Sequence, residues 1–193
     1  MKKVAFSLRI ATLSCVTLAA FTGIVFAAET IKVADLGTAG EWELYKWNKA
    51  QGKISVSPEM PEALKIKGLK GTLEMKISWP GGEGMRFFSV VPTKPVAVNA
   101  KASKASIWIK GSPNLRYLEI HFLANGQEKD ASGKQYKISL GQLNFDNWKQ
   151  MEAAIPADWP MPLMVKSLTL HDWKQPQPAE DTIYAGGLEL RTN

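Results

Sequence analysis

Apolar and polar residues alternate with a period of two along most of the chain beyond residue 50. In 72–79 (TLEMKISW), Leu73, Met75, Ile77 and Trp79 point one way and Thr72, Glu74, Lys76 and Ser78 the other. In 117–124 (YLEIHFLA), Leu118, Ile120 and Phe122 alternate with Tyr117, Glu119, His121 and Leu123, and Leu168 and Leu170 repeat the device near the end. Period two belongs to strands, and each apolar row must face a shared core. The alternation predicts strands over 53–57, 64–67, 72–79, 85–91, 106–110, 117–124, 135–140, 149–154, 165–171 and 182–191. Such spacing, with no helix of ordinary length, is the pattern of a sandwich or barrel.

Turn chemistry agrees. Pro80-Gly81-Gly82, Gly111-Ser112-Pro113-Asn114 and Asn125-Gly126 each follow an alternating run, and such groups close hairpins and strand ends. Two longer Pro-containing connections, 92–104 and 156–162, suit Greek-key or jelly-roll crossovers better than a meander. The expectation is all-β: a single jelly-roll-like antiparallel β-sandwich, without internal repeat or second domain.

The first 27 residues stand apart. Lys2, Lys3 and Arg9 precede an apolar stretch from Ile10 to Phe26, and Val25-Phe26-Ala27 before Ala28 resembles a small-residue cleavage site. That is the layout of a signal peptide over 1–27, cleaved between Ala27 and Ala28, leaving a domain over 28–193 with no stable membrane anchor. Cys15 follows Ser14 but has eleven more apolar-stretch residues after it, so it reads as part of that stretch rather than as a lipidation site. Residues 28–193 hold no cysteine, so an exported domain of this size must rest on a packed core rather than on disulfides. Removing the leader takes three of the 24 basic residues, leaving 21 against 18 acidic ones. A net charge of +3 without a dense Lys/Arg block argues against nucleic acid as a partner.

Candidate chemistry is sparse. His121 and His171 are the two histidines, too few for a metal site that normally needs three or four ligands. Ser89 and Ser139 lack a Gly-x-Ser-x-Gly elbow. Gly81, Gly82 and Gly84 lack the Lys-Ser/Thr of a phosphate loop. Glu180-Asp181 and Glu41/Glu43 lie in polar stretches with nothing to mark one as a buried acid. The expectation is therefore no enzyme, no catalytic or metal residues and no cofactor. Seven tryptophans remain. Trp79 fits the core, and Trp108 and Trp148 fit sheet edges. Trp42, Trp47, Trp159 and Trp173 lie among polar residues and prolines, where aromatic anchors of an interface are expected.

The phrases RFFSVVPTKPVAVNAKASKASIWIKG (86–111) and YLEIHFLANGQEKDASGKQYKISLGQLNFDNWKQ (117–150) resemble the flagellar filament outer-layer (FlaA-type sheath) proteins of spirochaetes, with Leu140 to Lys149 as the most specific part. The resemblance implies a structural protein of the periplasmic flagellum, exported to the periplasm. It would coat the flagellin core, contact flagellin or other sheath proteins, and contribute to filament shape, stiffness and motility. Related sandwiches often carry Ile-Tyr-x-Asp-Asp-Leu near the end; here Gly186 and Gly187 replace the two acids, so no calcium site carries over. The alternative is an exported carbohydrate-binding module with a tryptophan platform.

Overall fold

The computed structural model describes residues 29–47, 50–114, 116–172 and 177–192, the side chains at 46 and 47 excepted. The signal-peptide segment with Ala27 and Ala28, and Trp173, lie outside the described residues. Two antiparallel sheets pack face to face. One contains β1 (Thr30–Ala34), β3 (Gln51–Ser57), β4 (Thr72–Trp79), β7 (Ala102–Lys110), β10 (Trp148–Ala154) and β12 (Ala179–Thr192), in the order β10-β7-β12-β4-β3 with β1 also on β12. The other contains β2 (Trp42–Trp47), β5 (Arg86–Pro92), β6 (Ala97–Val98), β8 (Tyr117–Ala124), β9 (Lys137–Gln142) and β11 (Leu163–Asp172), in the order β2-β5-β11-β8-β9 with β6 also on β11. The chain passes repeatedly from sheet to sheet, the crossover pattern expected of a jelly roll.

The alternation explains the core. Leu73, Met75, Ile77 and Trp79 of β4 are buried beside Ile183 and Ala185 of β12, and they face Phe88, Val90, Leu118, Ile120, Phe122, Leu168 and Leu170 of the opposite sheet. β4 and β8 have the predicted boundaries, and Asn125 and Gly126 both take positive φ in the tight turn after β8.

Residues 64–67, expected as a strand, instead form part of a short helix, α1 (Glu62–Ile66). Ala63, Leu64 and Lys65 are strong helix formers. Gly68, at φ +78°, stops the turn, with Gly68 N–H donating to Lys65 C=O and Leu69 N–H to Leu64 C=O, the satisfaction of end carbonyls that a left-handed glycine permits. Leu64 is fully buried over Gly186 and Gly187; a Cβ on either glycine would lie 2.7 Å from its methyls, and Gly187 has φ +60°. These glycines mark the bulge at which β12 passes from pairing with β4 to pairing with β1.

One end of the sandwich closes on charge. Arg116, fully buried, donates through Nε to Asp181 Oδ2 at 2.7 Å and stacks its guanidinium 4.9 Å from the Trp79 ring. Asp181 also accepts from the Ser112 hydroxyl and, at 2.8 Å, from Asn114 Nδ2. Arg86 Nη1 donates to Asp172 at 3.1 Å, and Arg116 Nη1 lies 3.8 Å from the same carboxylate. The cluster joins β5, β11 and β12 to the β7–β8 connection, across both sheets. Removing one partner of such a buried set strands the others without water. Arg116→Leu should therefore lower unfolding free energy by about 3–5 kcal/mol in urea denaturation; a loss below about 1 kcal/mol would show that the sandwich end closes without the network.

Candidate functional site

The outward residues of the β2-β5-β11-β8-β9 sheet form three rows running across the strands. The register aligns Phe87, His171, Tyr117 and Gln142 in one row, into which the backbone of Trp47 also falls. The middle row is Tyr45, Ser89, Thr169, Glu119 and Ser139. The third sets Glu43 beside Val91, and Ser167 beside His121 and Lys137. A groove of about 610 Å³ lies over these rows, bounded at one side by Gln135, Glu128 and Lys129 of the β8–β9 connection.

Its first bank is aromatic. His171 stacks on Tyr117 with ring centroids 5.3 Å apart and 15° between planes, and tilts against Phe87 at 6.1 Å. Tyr117 OH accepts a hydrogen bond from Gln142 Nε2 at 3.0 Å. At the end of the middle row stands Tyr45, 56% exposed, a large ring without cover. The floor is a hydroxyl ladder: Thr169 Oγ1 lies 2.9 Å from Ser89 Oγ and 3.1 Å from Ser167 Oγ, all three residues buried.

The opposite bank is built on Glu119. Its carboxylate lies 3.1 Å from His121 Nε2, 3.1 Å from Lys137 Nζ and 3.6 Å from His171 Nε2. Burial pushes this carboxyl up, but hydrogen bonds with His121, His171 and Lys137 outweigh it and hold the group far below the usual carboxylate range. Glu119 is thus a fixed anion that orients two imidazoles and an ammonium. The groove can therefore offer ring faces, hydroxyls and positioned cations to one ligand, the combination that grips a polar molecule with apolar ring faces.

The tryptophans fall elsewhere. Trp42 is 7% exposed. It begins β2, at a strand end, and its inward register turns it toward the core, so it is buried where an exposed anchor was expected. It also walls a hollow of about 440 Å³ with Pro92 and Val33, away from the groove. Trp159 is half-buried and packs edge-on against Phe122 and Tyr136, at 5.6 and 5.3 Å. Trp47 ends β2, its side chain outside the described set. Trp79 is fully buried under Arg116, and Trp148 tilts against Tyr184 on the other sheet. Among the described residues no tryptophan side chain lines the groove; the side chains of Trp47 and Trp173 lie outside the described set. The histidines, set aside on ligand count, do meet in the groove, together with Glu119. The signal was in the outward positions of the alternating runs, but strand order was needed to bring 87, 119 and 171 together.

No family model matches the chain. A stretch of 75 residues, 39% of the chain, is 28% identical to a Brachyspira hyodysenteriae protein provisionally named flagellar filament outer layer-like protein. The match spans 32% of that protein, so the chain covers about a third of the length of this curated relative. Among solved structures, the chain is similar to a family 11 carbohydrate-binding module from Clostridium thermocellum, in complex with a β-1,3-1,4-mixed-linked tetrasaccharide: TM-score 0.50 and 13% identity, over 83% of this chain and 94% of the module. A carbohydrate-binding module described for specific mannan recognition superposes with TM-score 0.52 and 10% identity, over 87% of this chain and 99% of the other. At these identities the likeness establishes the sandwich fold alone.

Because Glu119 titrates lower in the folded chain than in the unfolded one, its stabilisation is whole above about pH 5 and is lost as pH falls toward the native value. Glu119→Gln should therefore destabilise most at neutral pH, with the gap narrowing as pH is lowered toward about 3 in urea unfolding. A gap unchanged across that range would place the stabilising charge elsewhere.

Proposed function

We propose that the chain is an exported binding protein, without turnover, whose groove holds an extended polysaccharide lying across the strands. The observation that carries this reading is the transverse order of the groove: the Phe87 and His171 rings in one row, Tyr45, the buried Ser89 and Thr169 hydroxyls and Glu119 in the next, and Ser167, His121 and Lys137 beyond them, over five strands. Five strands span about 19 Å at their usual spacing, room for several consecutive sugar rings. Pyranose faces stack on Tyr45 and Phe87, and equatorial hydroxyls exchange hydrogen bonds with the Ser89–Thr169–Ser167 ladder and Glu119. Preformed polar groups on strands lose little freedom on binding. The sandwich likeness to carbohydrate-binding modules supports the reading without carrying it.

Tyr45 is exposed and makes no core contact, so Tyr45→Ala tests binding apart from folding. It should weaken retention in affinity gels cast with soluble polysaccharides about ten-fold, or about 1.4 kcal/mol, with the melting temperature unchanged. Wild-type protein migrating freely through neutral and acidic polysaccharide gels alike would sink the reading.

A second reading has its own support. The sequence likeness to the flagellar outer layer-like protein, with the 86–111 and 117–150 phrases, favours a structural subunit of a periplasmic filament sheath that contacts flagellin or other sheath proteins. The two readings answer different questions: the groove concerns what the protein holds, the sheath where it works. If the sheath is its site, the protein co-purifies with isolated filaments, and deleting its gene changes their diameter or curvature. Filaments of normal coat and curvature in the deletion strain would remove this reading.

A further inference from the structure

The two banks of the groove differ in charge as well as in polarity. Lys137 rises from β9 and Lys166 from β11, and Lys129 stands exposed on the β8–β9 connection, where it bridges to Gln135. Two carboxylates face these ammonium groups, and they are not equally visible from solvent. The Glu119 side chain is 12% exposed beneath Lys137, which is 42% exposed and 3.1 Å away. Glu128 stays in the open, 53% exposed, paired with Lys166 at 2.7 Å. Among the residues lining the groove, three ammonium groups stand against one open carboxylate, on one bank only, while Glu43 is exposed beyond the lining at the β2 end of the third row. His121 lies on the same side, against Glu119. The other bank carries Phe87, His171 and Met85 and no ammonium group among the described residues.

A chain lying along the hydroxyl row presents one edge to rings and the other to cations. A neutral glucan or mannan would leave the three ammonium groups only Glu119 and Glu128 as counter-charges. A glycan with acid groups repeating along one edge would satisfy them, and each ammonium keeps donors beyond its carboxylate bond. We propose that the groove selects acidic polysaccharide, with carboxylate or sulfate groups directed at Lys129, Lys137 and Lys166. This inference rests on the polysaccharide-binding reading above and names its ligand class.

The test is affinity gel electrophoresis of the full domain against polygalacturonate, mannan and mixed-linked β-glucan, with double-stranded DNA as a polyanion lacking a glycan chain. Polygalacturonate should retain the protein most, and retention should fall as salt rises from about 0.05 M to about 0.5 M. Lys129→Glu, on an exposed connection, should weaken polygalacturonate retention about three- to five-fold and leave the melting temperature unchanged. Equal or stronger retention by mannan or β-glucan would overturn the acidic preference and leave the groove as a neutral glycan site. Equal retention by DNA would overturn it by revealing simple ion exchange. Polygalacturonate binding indifferent to Lys129→Glu would remove the cationic bank from recognition. Retention by no polymer would overturn the polysaccharide-binding reading and this inference together.

Discussion

The buried set of Arg86, Asp172, Arg116 and Asp181 constrains more of the molecule than any other contact. It spans both sheets, and its members sit where three connections meet at one end of the sandwich. Charges removed from water must be matched closely or they destabilise the fold, so the cluster ties together the chain at Gly82, Ser112, Asn114, Arg116, Asp172 and Asp181. Trp79 supplies a flat apolar lid over Arg116.

The same cluster reaches the groove by one step of register. Arg86 pairs with Asp172 on the inward side of β5 and β11, and the next pair, Phe87 with His171, faces outward. Fixing the inner pair fixes the outer one, so the ring stack inherits its position from charges it never touches. Glu119 repeats the logic on the outer surface. Its carboxylate organises His121, His171 and Lys137 as Asp181 organises Arg116, Ser112 and Asn114. One sheet thus carries one ionic centre below, shared with the opposite sheet, and a second above, on its outer face.

Strands whose one face meets the core wrote themselves plainly into the chain. Leu73 to Trp79 and Leu118 to Phe122 give β4 and β8 with their observed ends. α1 was hidden because Leu64 and Ile66 are two residues apart, which imitates alternation; only the cover of Gly186 and Gly187 by Leu64 explains why that segment turns. β1 and β2 were hidden because they are short and broken by charges, and β2 is an edge strand with one side unpaired. The sandwich could be read from turns and spacing, whereas the groove could not. Its rows join residues from β2, β5, β11, β8 and β9, and among these only β8 and β9 are neighbours both in sequence and in the sheet. The tryptophans drew attention because they are rare and large, yet the aromatic side chains described in the groove are Tyr45, Phe87 and His171 at ordinary outward positions.

β12 divides its length among three partners, pairing first with β4, then with β1, and along most of its course with β7. Thr30 at the start of β1 lies opposite Arg191 near the end of β12. Tension applied between these two residues would load the β1–β12 hydrogen bonds one after another, peeling the ladder open. Tension between β3 and β10 would instead act across the breadth of the sheet, on whole ladders at once. The domain is therefore mechanically anisotropic: soft along the seam where β1 meets the end of β12, and stiffer across the sheet that backs the one bearing the groove.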